Sequence, residues 1–308
     1  VSVLSGVVPV VPTPFVDLSE EVDVAALRDL IDFAVKAEVS AVCLPAYGSE
    51  FYKLTEQERI DVIEAAVIQA AGRLSVVAQC NHGSGKVAAS LAARSVQAGA
   101  AVISVALPRQ FVLTEADLLA YACTVCDAVD VPVLVQDWNP AGQAVGPEFC
   151  TKLADACPNF CYIKLEEPRM GPKVRAIAAA TAGRVGVFEG WGGLYMLELA
   201  PAGVVGVMPG LSLADRLVHV WRLAASGSGM KAVELFEPLV PWLGFALYDM
   251  EFFNAFEKRL LVARGVLASA TMRSPTITVD PDTLEYGDLL MARLLDDLER
   301  PGYRASGA

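Results

Sequence analysis

One apolar run of this 308-residue chain closes on a lysine: Phe160-Cys161-Tyr162-Ile163-Lys164. Burying an ammonium at the end of such a run is costly unless the group is paired or neutralised. The same cost lowers the amine's proton affinity and frees its lone pair to attack a ketone, which is the chemistry of a Schiff-base nucleophile. Read from the residue alone, a lysine that snorkels from a strand end into water fits equally well. Other reactive side chains are sparse. Cys43, Cys80, Cys123, Cys126, Cys150, Cys157 and Cys161 are scattered through apolar runs, and the Cys123/Cys126 pair falls inside an expected helix with no second pair downstream. The chain has two histidines, His82 and His219. No metal site is therefore expected, and the thiols read as buried and reduced.

The elements that must position Lys164 are visible as an alternation. Apolar, β-rich runs at 6–11, 41–44, 74–78, 101–105, 132–136, 160–164, 184–188 and 204–208 alternate with amphipathic stretches at 24–37, 55–71, 85–98, 114–129, 147–156, 172–181, 193–200 and 212–225. Thr55 with Glu58 forms a capping box, acidic Glu115 and Asp117 follow Thr114, and Gly72 and Gly99 mark stops. Eight strands, each followed by a helix, is the count of a closed (β/α)8 TIM barrel. Strands buried on both faces also explain why the runs are solidly apolar. An open doubly wound sheet would carry a glycine fingerprint in its first turn, and Val11-Pro12-Thr13-Pro14-Phe15 has none. Past residue 226 the pattern turns helical, at 230–248, 251–267 and 281–298. The expected organisation is a barrel over 1–225 and a C-terminal helical appendage over 226–300, with a frayed tail at 301–308.

The net charge of −12 and pI near 4.7 argue against a nucleic acid or an anionic membrane as partner, since both require a basic surface. No twenty-residue apolar block or basic leader is present in the sequence read here, so a cytoplasmic location is expected.

An ordered set of short motifs adds to this. Pro12-Thr13-Pro14-Phe15 comes first, then Ala46-Tyr47-Gly48-Ser49-Glu50 with Leu54-Thr55 and Glu58-Arg59, then Tyr162-Ile163-Lys164. Phe188-Glu189-Gly190, Gly203-Val204-Val205-Gly206-Val207, Lys258 and Met272-Arg273-Ser274-Pro275 follow. Over about residues 5–295 the chain resembles the dihydrodipicolinate synthase / N-acetylneuraminate lyase family. The resemblance implies a class I aldolase barrel with a C-terminal helical domain, assembled as a dimer or tetramer. It places Lys164 on the family's Schiff-base lysine, which needs no cofactor beyond the covalent imine. It also places Tyr47, Gly48 and Ser49 on the segment that binds the keto acid's carboxylate through backbone N–H groups and a hydroxyl.

Three departures narrow the reaction. In Val135-Gln136-Asp137-Trp138-Asn139-Pro140, Gln136 stands where the family has a proton-relaying tyrosine, and a glutamine cannot shuttle protons near neutral pH. Pro108-Arg109-Gln110-Phe111 lacks the second tyrosine that family synthases lend across a dimer interface. The synthases' substrate-binding arginine falls near Ala141. Genuine dihydrodipicolinate synthase activity is therefore not expected. Asp137 or Glu166 could replace the relay if burial raises its proton affinity; otherwise Asp137 caps a loop and Glu166 pairs with a cation. Trp138 and Trp191, just past the fifth and seventh strand ends, either wall a pocket or pack loops. Met208 is grouped with them as substrate-binding. Arg109 is the cation nearest this face, and His82 is either a pocket or a solvated loop residue. The expectation is a Schiff-base-forming lyase, aldolase or dehydratase acting on pyruvate or another 2-keto acid or aldehyde. The alternative is an impaired, 2-keto-acid-binding or regulatory barrel of the same family.

Overall fold

A computed structural model describes residues 4–140 and 142–299; Ala141 and the tail at 301–308 lie outside the described residues. The eight apolar runs form strands β1 (Gly6–Val7), β2 (Ala41–Leu44), β3 (Ser75–Gln79), β4 (Val102–Ala106), β5 (Val133–Asp137), β6 (Phe160–Leu165), β7 (Gly186–Glu189) and β8 (Gly206–Val207). The eight strands pair in parallel, in the order β1-β8-β7-β6-β5-β4-β3-β2. The ring closes between β2 and the segment after β1, where Val10 bridges Cys43 and Cys43 N–H donates to Pro9 O at 2.9 Å. This is the (β/α)8 barrel. The regular part of β1 is shorter than its apolar run because Pro9 and Pro12 supply no amide donors. Gly206 is dictated by close approach: a Cβ there would stand 2.2 Å from Gly6 O and 2.5 Å from Phe188 Cε1.

The barrel helices are α1 (Val24–Lys36), α2 (Glu56–Ala70), α3 (Gly85–Gln97), α4 (Glu115–Cys126), α5 (Pro147–Ala156), α6 (Gly171–Ala180), α7 (Met196–Leu199) and α8 (Ala214–Ala225). Thr55 and Thr114 both cap by accepting from the N–H three residues on, with Glu58 and Asp117 closing the boxes. The helix expected over 193–200 is cut to α7. Gly192 and Gly193 take positive φ, and Glu189 holds Gly193 N–H, so the first residues form a loop instead.

Beyond the barrel come α9 (Gly229–Phe236), α10 (Val240–Ala246), α11 (Met250–Ala263) and α12 (Pro281–Glu299). The single helix expected over 230–248 is interrupted at Glu237–Leu239, where Pro238 and then Pro241 withhold backbone donors. Strand alternation divides the core into two layers. Outward residues such as Val133, Val135, Ile163 and Leu165 pack under the helices. Inward residues such as Leu134, Tyr162, Phe188 and Met208 fill the barrel. The long helix α11 lies over the barrel mouth, tied there by Asn254 Nδ2 donating to Tyr47 O at 3.3 Å and by a 2.6 Å ion pair from Lys258 to Glu50.

Candidate active site

Along β6 the side chains alternate, so Tyr162, Lys164 and Glu166 share the inner face while Ile163 and Leu165 face the helices. Lys164 is thereby lifted to the mouth of the barrel, 6% exposed, above the aromatic floor of Tyr162 and Phe188. Its Nζ lies 3.0 Å from Glu166 Oε1. Gln136, its register partner on β5, donates from Nε2 to the same oxygen at 2.5 Å. Gln79 at the end of β3 donates from Nε2 to Gln136 Oε1, and the Cys43 thiol meets Gln79 Oε1 at 3.8 Å. Burial pushes the Cys43 thiol up to about 12, so it remains protonated.

These groups open into a cavity of about 180 Å3. Tyr47, Gly48, Gln136, Trp138, Lys164, Glu166, Trp191 and Met208, all singled out from the sequence, line it together. Tyr47 and Gly48 begin a short 3-10 turn (Tyr47–Ser49), where helical geometry leaves the first N–H groups without intrahelical acceptors. Tyr47 packs edge-on against Trp138 at 5.5 Å between ring centroids. Its phenol is held above the ordinary value by burial and, less strongly, by the Glu166 charge. The Nε1–H of Trp191 is buried and has no hydrogen-bond partner among the described residues.

Two of the sequence candidates are not brought to the cavity. Ser49 is fully buried behind the turn, its hydroxyl donating to Val11 O at 2.5 Å and accepting from Ala46 N–H at 2.9 Å. Asp137, one residue past Gln136, faces the opposite side of β5. Arg109 clamps it with two bonds of 2.8 and 2.6 Å, and Val145 N–H donates to it at 2.7 Å. Arg109 is thus engaged behind the site. His82 is exposed, its Nδ1 accepting from Ser84 N–H at 2.9 Å.

Several site residues escaped the sequence reading. Gln79 ends an apolar run just as Gln136 does, a signal that was present but unused. The cavity's far wall, Leu247, Tyr248, Asp249, Met250 and Phe253, comes from the connection between α10 and α11 and the first turn of α11, and no local pattern announces that contact. Gly190 is needed for space, since a Cβ there would lie 2.8 Å from Lys164 Cε. Among the described residues no group of three or more His, Cys, Asp and Glu side chains is placed to share a metal ion. No helix among them is long and apolar enough to cross a membrane.

The sequence profile of the Dihydrodipicolinate synthetase family matches residues 3–291. The chain belongs to the dihydrodipicolinate synthetase family. Within it, an L-2-keto-3-deoxyarabonate dehydratase from Azospirillum brasilense is 29% identical over 95% of each chain. A 4-hydroxy-tetrahydrodipicolinate synthase from Aquifex aeolicus is 30% identical over 72% of this chain and 76% of its own. The crystal structure of YagE from Escherichia coli K12, a dihydrodipicolinic acid synthase family protein in complex with pyruvate, superposes with a TM-score of 0.87 at 24% identity. That superposition covers 96% of this chain and 99% of YagE, and it speaks for the fold alone. Membership in the dihydrodipicolinate synthetase family makes this chain an enzyme of the aldolase–dehydratase lyase type, acting on a small molecule.

Proposed function

We propose that this protein is a Schiff-base dehydratase of a 2-keto-3-deoxy sugar acid, with Lys164 as nucleophile and Glu166 as the acid–base group. The observation that carries the reading is the convergence of Lys164 Nζ and Gln136 Nε2 on Glu166 Oε1, at 3.0 and 2.5 Å, beside the cavity. A carboxylate in hydrogen-bond reach of the imine nitrogen is placed to take over the proton transfers that Gln136 cannot perform. The whole-length similarity to a 2-keto-3-deoxyarabonate dehydratase supports dehydration over condensation.

In this scheme the Lys164 amine adds to the C2 ketone and expels water, giving a protonated imine. Glu166 removes a proton from C3, and the electron pair passes into the imine to form an enamine. The enamine returns its electrons through C3 to expel the C4 hydroxyl, which leaves as water with the proton that Glu166 carries. Hydrolysis of the conjugated imine restores the amine. The substrate carboxylate is assigned to the Tyr47–Gly48 turn, and Trp138 and Trp191 wall the carbon chain. The absence of tyrosine at Gln136 and in Pro108-Arg109-Gln110-Phe111 supports a reaction other than dihydrodipicolinate synthesis. Homo-oligomeric assembly in the cytoplasm belongs to the same proposal, supported by the exposed apolar Phe111 and Val112 and by seven free cysteines.

Borohydride added with pyruvate should fix a mass adduct on Lys164, absent in Lys164→Ala. Glu166→Gln should keep the adduct but lose turnover of a 2-keto-3-deoxypentonate by about 10²–10⁴-fold. Lack of an adduct with pyruvate or other 2-keto acids would overturn the reading. So would release of pyruvate by carbon–carbon cleavage in place of a dehydrated product. Thermal stabilisation by ligand without consumption would favour a binding barrel.

A further inference from the structure

Glu166 is acceptor-only as a carboxylate, and it already receives the Lys164 ammonium on Oε1. The Gln136 amide facing it must therefore present its NH2, which turns the Gln136 carbonyl toward Gln79. Gln79 in turn must present its own NH2 and direct its carbonyl toward the Cys43 thiol. Gln79, Gln136 and Cys43 are each 2% exposed or less, so no bulk water competes for these bonds. The four side chains form a one-way donor chain, from Cys43 through Gln79 and Gln136 to Glu166. Both inner bonds to Glu166 fall on Oε1, which leaves Oε2 as the oxygen for substrate.

Resting on the dehydratase reading, we propose that Gln79 is a positioning residue that fixes the Gln136 amide in the one orientation that aims Glu166 Oε2 at the reacting carbon. Gln79 does not line the cavity and touches no substrate. It acts through Gln136. Without its donor the Gln136 amide is free to turn, and a turned amide sets its carbonyl oxygen against the carboxylate. A misplacement of about 1 Å in a proton-transferring group costs on the order of 100-fold in rate.

Exchange of the pyruvate methyl protons with D2O reads the Lys164 and Glu166 steps without requiring the natural substrate. Gln79→Met should slow this exchange about 10–100-fold at an unchanged half-saturating pyruvate concentration, and borohydride should still trap the Lys164 adduct. Gln79→Glu, equal in size but an acceptor, should slow it at least as much, since it draws the Gln136 NH2 away from Glu166. The double variant Gln79→Met/Gln136→Met removes both amides, so no turned carbonyl can face Glu166 in it. It should be no slower than Gln136→Met alone. Wild-type exchange in Gln79→Met, a milder defect in Gln79→Glu than in Gln79→Met, or additive losses in the double variant would each overturn the inference and leave the dehydratase reading standing. If the wild-type protein forms no adduct and exchanges no protons, the functional reading falls, and this inference with it.

Discussion

Gly190 passes so close to Glu166 that a Cβ at that position would stand 2.3 Å from Cγ and 2.8 Å from Oε1. The same Cβ would lie 2.8 Å from Lys164 Cε, so the end of β7 leaves room for the lysine–carboxylate pair only because glycine is there.

Gly190→Ala should therefore impair chemistry as well as stability. Overpacking of this kind costs about 1–3 kcal/mol, whereas displacement of Glu166 should reduce kcat about 100-fold. Calorimetry beside steady-state kinetics separates the two effects. A variant with wild-type kcat would show that the pair tolerates a shift.

Asp137 is expected to matter for stability instead. Its carboxylate is fully buried and held by Arg109 and Val145 N–H. Asp137→Asn leaves Arg109 without a counter-charge, and because Arg109 is 18% exposed the cost should fall below the usual 3–5 kcal/mol, at about 2 kcal/mol. Borohydride trapping on Lys164 should be retained at temperatures where the variant is folded. Loss of the adduct in a folded variant would return Asp137 to the chemistry.

Glu189 gives stability a pH dependence. Burial raises its carboxyl to about 7 from 4.5, against the opposing bonds from Gly193 and Tyr195 N–H. The native state keeps this proton between pH 4.5 and 7, where the unfolded chain has released it. The resulting stabilisation is full below 4.5 and is lost as pH rises through about 7. Its size is about 3 kcal/mol at most. Glu189→Gln, which still accepts from Gly193, should remove this component. Unfolding free energies of the variant minus wild type should increase from pH 5 to pH 8, and a flat difference would contradict the assignment.

Lys258 and Glu50 form an ion pair in which each side chain is 1% exposed. Burial pulls the lysine down to about 8, with Glu50 opposing that shift. Lys258→Met should destabilise by about 3 kcal/mol, the lower end for a broken buried pair, because Lys53 remains 2.9 Å from Glu50. Glu50 ends the Tyr47–Ser49 turn assigned to the substrate carboxylate, so KM for a 2-keto acid should rise several-fold more than kcat falls. Equal effects on both constants would separate the turn from substrate binding.

The sequence by itself determined the barrel, the place of Lys164 on it and the family. Eight apolar runs alternating with amphipathic stretches have few other closed arrangements, and Lys164 ends one of those runs. Solidly apolar strands carry no inside-outside alternation, however, because both faces are buried. Nothing in Gln136-Asp137 could therefore say which of two adjacent polar residues looks into the cavity. Tertiary structure decided it: neighbours on a strand point to opposite faces, which sends Gln136 to Glu166 and Asp137 to Arg109. The same holds for Gln79, 57 residues from its partner Gln136, and for the wall supplied by Leu247–Met250 and Phe253. These contacts join segments distant along the chain, and only closure of the barrel and the folding of α11 across its mouth bring them together.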